Sequence, residues 1–134
     1  MTNEKRKYVR ILFKSGVRIE LQGKWIETKV SDLSLKGLLV EWPFEEELEE
    51  GRYYPIELPL HENERNPAIR MEAAVAHRQD GKVGFSWKKI DGESLAHLRT
   101  LLSYNIGDSE QVEKELYNLV EDVRREAAEN GDTA

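Results

Sequence analysis

The chain contains no cysteine. Disulfides, thiolate metal sites and a cysteine nucleophile are therefore excluded, and the composition suits a reducing cytoplasm. It also lacks any apolar run near the length of a membrane span, and any charged-then-apolar leader. These absences lead us to expect a cytoplasmic protein with no membrane contact. Histidine is scarce, and His61, His77 and His97 fall in a loop, a strand and a helix pattern, none in a metal-ligand spacing. No glycine-rich phosphate loop follows a strand, and the many Asp and Glu residues form no catalytic constellation. We expect no enzyme activity, no bound metal and no cofactor.

What is present is enough for one domain. The 134 residues are 39% hydrophobic and 34% charged, which supports one modest core. The formal net charge of −6 is unevenly spread. Residues 1–24 carry seven Lys or Arg against two Glu, whereas residues 108–134 carry nine Asp or Glu against three basic residues. A basic arm on an acidic body suits a small anionic ligand better than a nucleic-acid polymer, which calls for a basic face over much of the surface.

Periodicity reads as strands and then helices. Residues 1–10 are polar and without period. Val17–Gln22 alternates, Gly23 marks a tight turn, and Trp25–Val30 returns as a partner strand. Gly37–Trp42 is a further strand ended by Pro43, and Glu45–Gly51 is an acidic turn or single helical turn. Arg52–Pro59 and Ile69–Arg78 are strands separated by a polar loop. Asp80-Gly81 is a two-residue hairpin signal leading into Val83–Trp87. Six strands with short turns and no crossover helix predict a mainly β fold: a six-stranded antiparallel barrel.

The period then changes. Leu95, Leu98, Leu101 and Leu102 follow a cap at Asp91 or Ser94, and Tyr104–Gly107 stops that helix. Val112, Leu116, Leu119, Val120 and Val123 form an apolar stripe on a second helix. The stripe reads as core packed on the barrel, with a self-association or partner face as the alternative. The expected organisation is a flexible arm over 1–14, a barrel over 15–90, helices over 91–124 and a disordered tail over 125–134.

Two stretches concentrate the binding chemistry. In Asp32-Leu-Ser34-Leu-Lys-Gly37, Asp32 and Ser34 share one face of an extended backbone, with Leu33 and Leu35 on the other. Gly37 closes the turn, either through a positive φ or by letting a ligand or strand approach its backbone. Upstream, Arg6 and Arg10 are four apart. On an extended segment both forks share a face roughly 13 Å apart at Cα, suiting a ligand with two separated phosphates.

Arg6-x-x-x-Arg10 followed by Asp32-x-Ser34-x-x-Gly37 resembles the signature pair of the PilZ domain family, and the resemblance extends through the strand pattern to about Ile90. It implies a six-stranded split-barrel-like fold and a receptor for the bacterial second messenger cyclic di-GMP. By the resemblance, Arg6 and Arg10 clamp phosphates and guanine O6/N7 edges, while Asp32, Ser34 and Gly37 form the guanine-reading surface. His77 falls where many family members carry a base-stacking aromatic. Lys5 stands where a basic residue often accompanies binding of an intercalated ligand pair, though the more usual residue is Arg. We expect ligand-driven ordering of the arm, with the altered surface read by a downstream protein or by self-association through the C-terminal helix. A ligand-independent protein-interaction adaptor is the alternative, disfavoured because all five motif residues are present.

Overall fold

The computed structural model describes residues 8–60, 68–107 and 109–129. Six strands, β1 (Ile11–Leu21), β2 (Lys24–Leu33), β3 (Gly37–Glu41), β4 (Tyr53–Pro59), β5 (Ala68–Gln79) and β6 (Lys82–Ile90), precede two helices, α1 (Gly92–Ile106) and α2 (Ser109–Glu129). The strands close into an antiparallel barrel in the order β1-β2-β3-β6-β5-β4, sealed where Arg18 and Ile19 of β1 meet Glu57 and Ile56 of β4. Closure removes the sheet edges that would otherwise template association. Among the described residues no helix is long and apolar enough to cross a membrane.

Local chemistry explains the elements. Gln22-Gly23 and Asp80-Gly81 both take positive φ (55° and 84°, 40° and 78°), as a twist-matched two-residue hairpin turn requires. Alternation along β1 points Val17, Ile19 and Leu21 inward, where they meet Val30, Leu33, Val40, Ile56, Leu58, Ile69, Met71 and Phe85 in one apolar interior. The acidic run after β3 forms no helix. Its Leu48 plugs the barrel and its backbone is held by side chains: Trp42 Nε1 donates to Glu46 O, Arg78 to Leu48 O, and Glu49 N to the Tyr54 hydroxyl.

Asp91 caps α1, its Oδ1 accepting from Ser94 N at 2.7 Å, and Gly107 ends the helix in the left-handed region (φ 75°), its N–H donating to Ser103 O. Leu98 and Leu102 of α1 are buried, and Ser94 Oγ accepts the Arg70 N–H of β5. These contacts dock α1 on the barrel. Helix α2 packs on α1, where Arg99 pairs with Glu113 at 3.4 Å.

Two boundaries and one packing expectation differ from the sequence reading. Strand β1 begins at Ile11, so the expected arm over 1–14 gives up its last four residues to the barrel. Lys14-Ser15-Gly16 hides the alternation there, yet Ile11 and Phe13 pack against the core. Helix α2 runs to Glu129 and takes in the first residues of the expected tail. Its apolar stripe divides: Val112 and Leu119 are buried, Leu116 is half-buried, and Val120 and Val123 are exposed.

Candidate functional site

Strict alternation would hide the site. Along β2, Ile26, Thr28 and Val30 point inward, so Asp32 would follow them into the core. The pairing of β2 with β3 slips instead, Val30 facing Val40 while Asp32 faces Leu39, which leaves Ser31 as an extra residue. A bulge of this kind reverses the parity of everything beyond it. Leu33 then turns inward, fully buried, and Asp32 turns out.

A second bulge does the same on β5. Val75 faces Phe85 but His77 faces Gly84, so Ala76 is the extra residue and His77, otherwise in phase with Met71, Ala73 and Val75, is exposed on the outer surface. The two slips align Leu12, Asp32, Leu39, Gly84 and His77 as successive cross-strand neighbours in one row over β1, β2, β3, β6 and β5. At one strand spacing per step, the row from Asp32 to His77 runs about 14 Å along the curved sheet.

Behind this row the Asp32–Gly37 turn closes on itself. Ser34 N donates to Gly37 O at 2.9 Å, and Ser34 Oγ leans on the same oxygen at 3.4 Å. Leu35 is fully buried, as the motif's alternation requires. Gly37 is absent from the positive-φ positions. Its need is space: a Cβ there would lie 1.9 Å from Phe85 O and 2.9 Å from Phe85 C. Of the two readings of this glycine, close approach of a strand is therefore the one realised. Trp87 of β6 locks the turn further. Its Nε1 donates to Leu35 O (2.8 Å), its N to Lys36 O (3.0 Å), and Lys36 Nζ donates back to Trp87 O (2.9 Å) while sitting 4.1 Å over the indole.

The result is a cleft of about 300 Å³ lined by Arg10, Asp32, Ser34, Gly37 and His77 together with Tyr8, Lys36, Leu39 and Ser86. Five of the seven sequence-derived candidates thus meet in one place, while Lys5 and Arg6 lie outside the described residues. Arg10 reaches the cleft because Ile11 pairs with Leu33, setting the arm opposite the turn. Neither Arg10 nor Asp32 has a hydrogen-bond or ion-pair partner among the described residues. A guanidinium fork and a carboxylate thus line the same cleft. His77 lies across Gly84, whose absent Cβ would stand 2.3 Å from the imidazole Cε1.

Tyr8, Lys36, Ser86 and Trp87 were not singled out from the sequence. Lys36 sits inside the motif, but nothing in the local pattern ties it to Trp87, 51 residues away. Ser86 enters the site only because it pairs with Gly37 across β3 and β6.

The opposite wall of the barrel carries a separate charge cluster. Glu57 is paired with Arg18 and, at 3.3 Å, with Arg70, and Arg18 lies 4.6 Å over the Trp25 ring. Burial works against ionisation of Glu57, but the hydrogen bonds and charges of Arg18 and Arg70 outweigh it and hold its pKa below the ordinary carboxylate value. This cluster staples β1, β4 and β5 and lies outside the residues that line the cleft.

Comparison with known proteins follows the same outline. The family model of the PilZ domain matches residues 4–104. Among solved structures, the chain is similar to the inhibitor of motility MotI/DgrA of Bacillus subtilis, with a TM-score of 0.62 and 24% identity over 77% of this chain. The match spans 50% of that protein's length. It is also similar to the PilZ domain of YcgR from Escherichia coli, solved with c-di-GMP, with a TM-score of 0.58 and 16% identity over 98% of this chain and 100% of that one. A third similar structure is the PilZ domain of CeSA from a cellulose-synthesizing bacterium, with a TM-score of 0.51 and 16% identity over 74% and 96% of the two chains. At these identities the structural likeness is one of fold.

Proposed function

The chain belongs to the PilZ domain family, whose model covers residues 4–104, and from that premise we propose that it is a non-catalytic receptor for cyclic di-GMP. The observation that carries this reading is that Arg10 and Asp32, neither with a partner among the described residues, line one cleft beside the Ser34–Gly37 turn. Cyclic di-GMP offers two phosphates and two guanines. A guanidinium forks onto phosphate oxygens or the guanine O6/N7 edge. A carboxylate accepts from guanine N1–H and N2–H, the complementary edge. Arg10 takes the first role and Asp32 the second, with Arg6 as a second fork.

Ser34 and Gly37 contribute differently from Asp32. The Ser34 N–H and hydroxyl are turned to the turn's own carbonyl, so Ser34 chiefly holds Asp32 in place. Gly37 lets β3 lie close on β6. The imidazole of His77, seated on Gly84, offers a flat face to a base. The ligand draws the arm across the barrel, and the surface so formed is read by a partner protein or a second copy. Ordering the arm lowers the affinity, and a dissociation constant around micromolar is expected.

Isothermal titration calorimetry with cyclic di-GMP, using GTP and GMP as controls, tests this directly. Saturable, selective heat supports the receptor, and its stoichiometry distinguishes one ligand from an intercalated pair. Arg10→Ala should weaken binding by about 2–4 kcal/mol, because it leaves an anionic group without its fork. Wild-type affinity in that variant would refute the site. No binding by the wild-type chain would instead favour the adaptor.

A further inference from the structure

Among the described residues, Glu115 on α2 is the one charged side chain that is buried, at 3% exposure. A carboxylate withdrawn from water needs donors to stabilise it. Two are present. Gln111 Nε2, one turn earlier on α2, donates to Oε2 at 2.8 Å, and the backbone N–H of Val9 donates to the same oxygen at 3.0 Å. Val9 is the residue before Arg10. Its neighbour Tyr8 also reaches α2, the hydroxyl donating to Asp122 Oδ2 at 3.3 Å, while the same Tyr8 lines the cleft. The arm is thus gripped by α2 at two points two helical turns apart, and Arg10 emerges from the grip beside Asp32 and Ser34.

We propose that α2 is coupled to the ligand site through this grip: Glu115 is a positioning residue that holds the arm so that Arg10 faces the cleft. This deepens the receptor reading and rests on it. Three features support it. Tyr8, Val9 and Arg10 lie in no strand, so the backbone here needs another acceptor. A buried carboxylate is a poor choice for packing alone, since an apolar residue would bury more favourably at this position. The contact closes a loop of more than a hundred residues, so it does nothing for α2 as an isolated helix. The grip lowers the ordering cost of the arm and therefore raises ligand affinity. By linkage, ligand must tighten the docking of α2 by the same factor. Occupancy of the cleft is then reported at the half-exposed α2 face bearing Leu116, Val120 and Val123.

The test compares wild type with Glu115→Leu and Glu115→Gln. Leucine keeps or improves burial of α2 but removes the acceptor. Glutamine keeps an acceptor oxygen for Val9 N–H. Calorimetry with cyclic di-GMP should show about a tenfold affinity loss in Glu115→Leu, the scale of one charge-assisted hydrogen bond, without a lower melting temperature. Glu115→Gln should stay within about threefold of wild type. Amide hydrogen exchange should show α2 protected by saturating ligand in wild type, by about the factor lost in affinity, and not in Glu115→Leu. Equal affinity and equal ligand-induced protection in wild type and Glu115→Leu would overturn the coupling while leaving the receptor intact. Absence of binding by wild type itself would overturn the receptor reading instead.

Discussion

Replacing Gly37 by alanine adds one methyl group at the point where the site is least able to receive it. The new Cβ would stand 1.9 Å from Phe85 O, 2.9 Å from Phe85 C and 3.1 Å from Ser86 Cα. All three atoms are backbone in β6, so no rotamer change relieves the overlap. Either β3 must lift from β6, breaking the Gly37–Ser86 register, or the turn must detach from Trp87. Overpacking alone costs about 1–3 kcal/mol, and loss of the adjoining hydrogen bonds adds about 1 kcal/mol each. We expect a loss of about 3 kcal/mol. With a urea slope of about 1.5 kcal/mol/M, the unfolding midpoint should fall by about 2 M. Gly16→Ala is the internal control: a Cβ there meets nothing within 4 Å and its φ is not positive, so its midpoint should stay within about 0.3 M of wild type. The same measurement carries a functional arm, because Asp32 and Ser34 hang on this turn and any folded Gly37→Ala protein should bind cyclic di-GMP at least tenfold more weakly, about 1.4 kcal/mol. A Gly37→Ala midpoint within about 0.5 M of wild type, with unchanged slope, would refute the close-approach explanation.

Other perturbations separate the roles of neighbouring residues. The three atoms nearest a Cβ at Gly84 all belong to the His77 ring, a side chain that can swing away, so for Gly84→Ala stability should change by less than about 1 kcal/mol. Ligand affinity should nevertheless fall if His77 stacks on a base, and calorimetry on the folded variant reads that out. Trp87→Phe removes the donor to the buried Leu35 carbonyl and should destabilise the chain by about 1–3 kcal/mol in urea unfolding, with weaker ligand binding from a loosened turn. Glu57 has a folded-state pKa below its unfolded one. Its contribution is therefore fully present above the unfolded carboxylate value and is lost as pH falls through the folded one. Glu57→Gln should be less stable than wild type at neutral pH, and the difference should shrink below about pH 4; a pH-independent difference would contradict the sign.

Strand positions, hairpin turns and the stop of α1 are legible because they rest on local rules. Asp80-Gly81 can take the positive φ values a tight hairpin needs, and Leu98 and Leu102 recur at helical spacing because one face of α1 is buried. The motif pair by itself points to Arg10, Asp32, Ser34 and Gly37, and Leu33 and Leu35 mark the inward face of the turn. The start of β1 was masked by Lys14, Ser15 and Gly16, whose polarity interrupts an alternation that the barrel nevertheless continues to Ile11.

Sequence by itself determined that this chain forms a small antiparallel barrel followed by helices, and which short stretches concentrate its charged and polar groups. Periodicity and residue chemistry suffice for that, since each acts within a few residues. Tertiary structure alone decided which of those groups face the same water. The bulges at Ser31 and Ala76 reverse strand parity and bring Asp32 and His77 out of the core phase. Gly37 proved to serve strand approach rather than a left-handed turn. Trp87 and Glu115 hold the turn and the arm from 52 and 106 residues away. A bulge is a mismatch between two strands, and a buried carboxylate is tolerated only where another segment supplies its donors. Neither property belongs to a single stretch of chain, so only the folded assembly could express it.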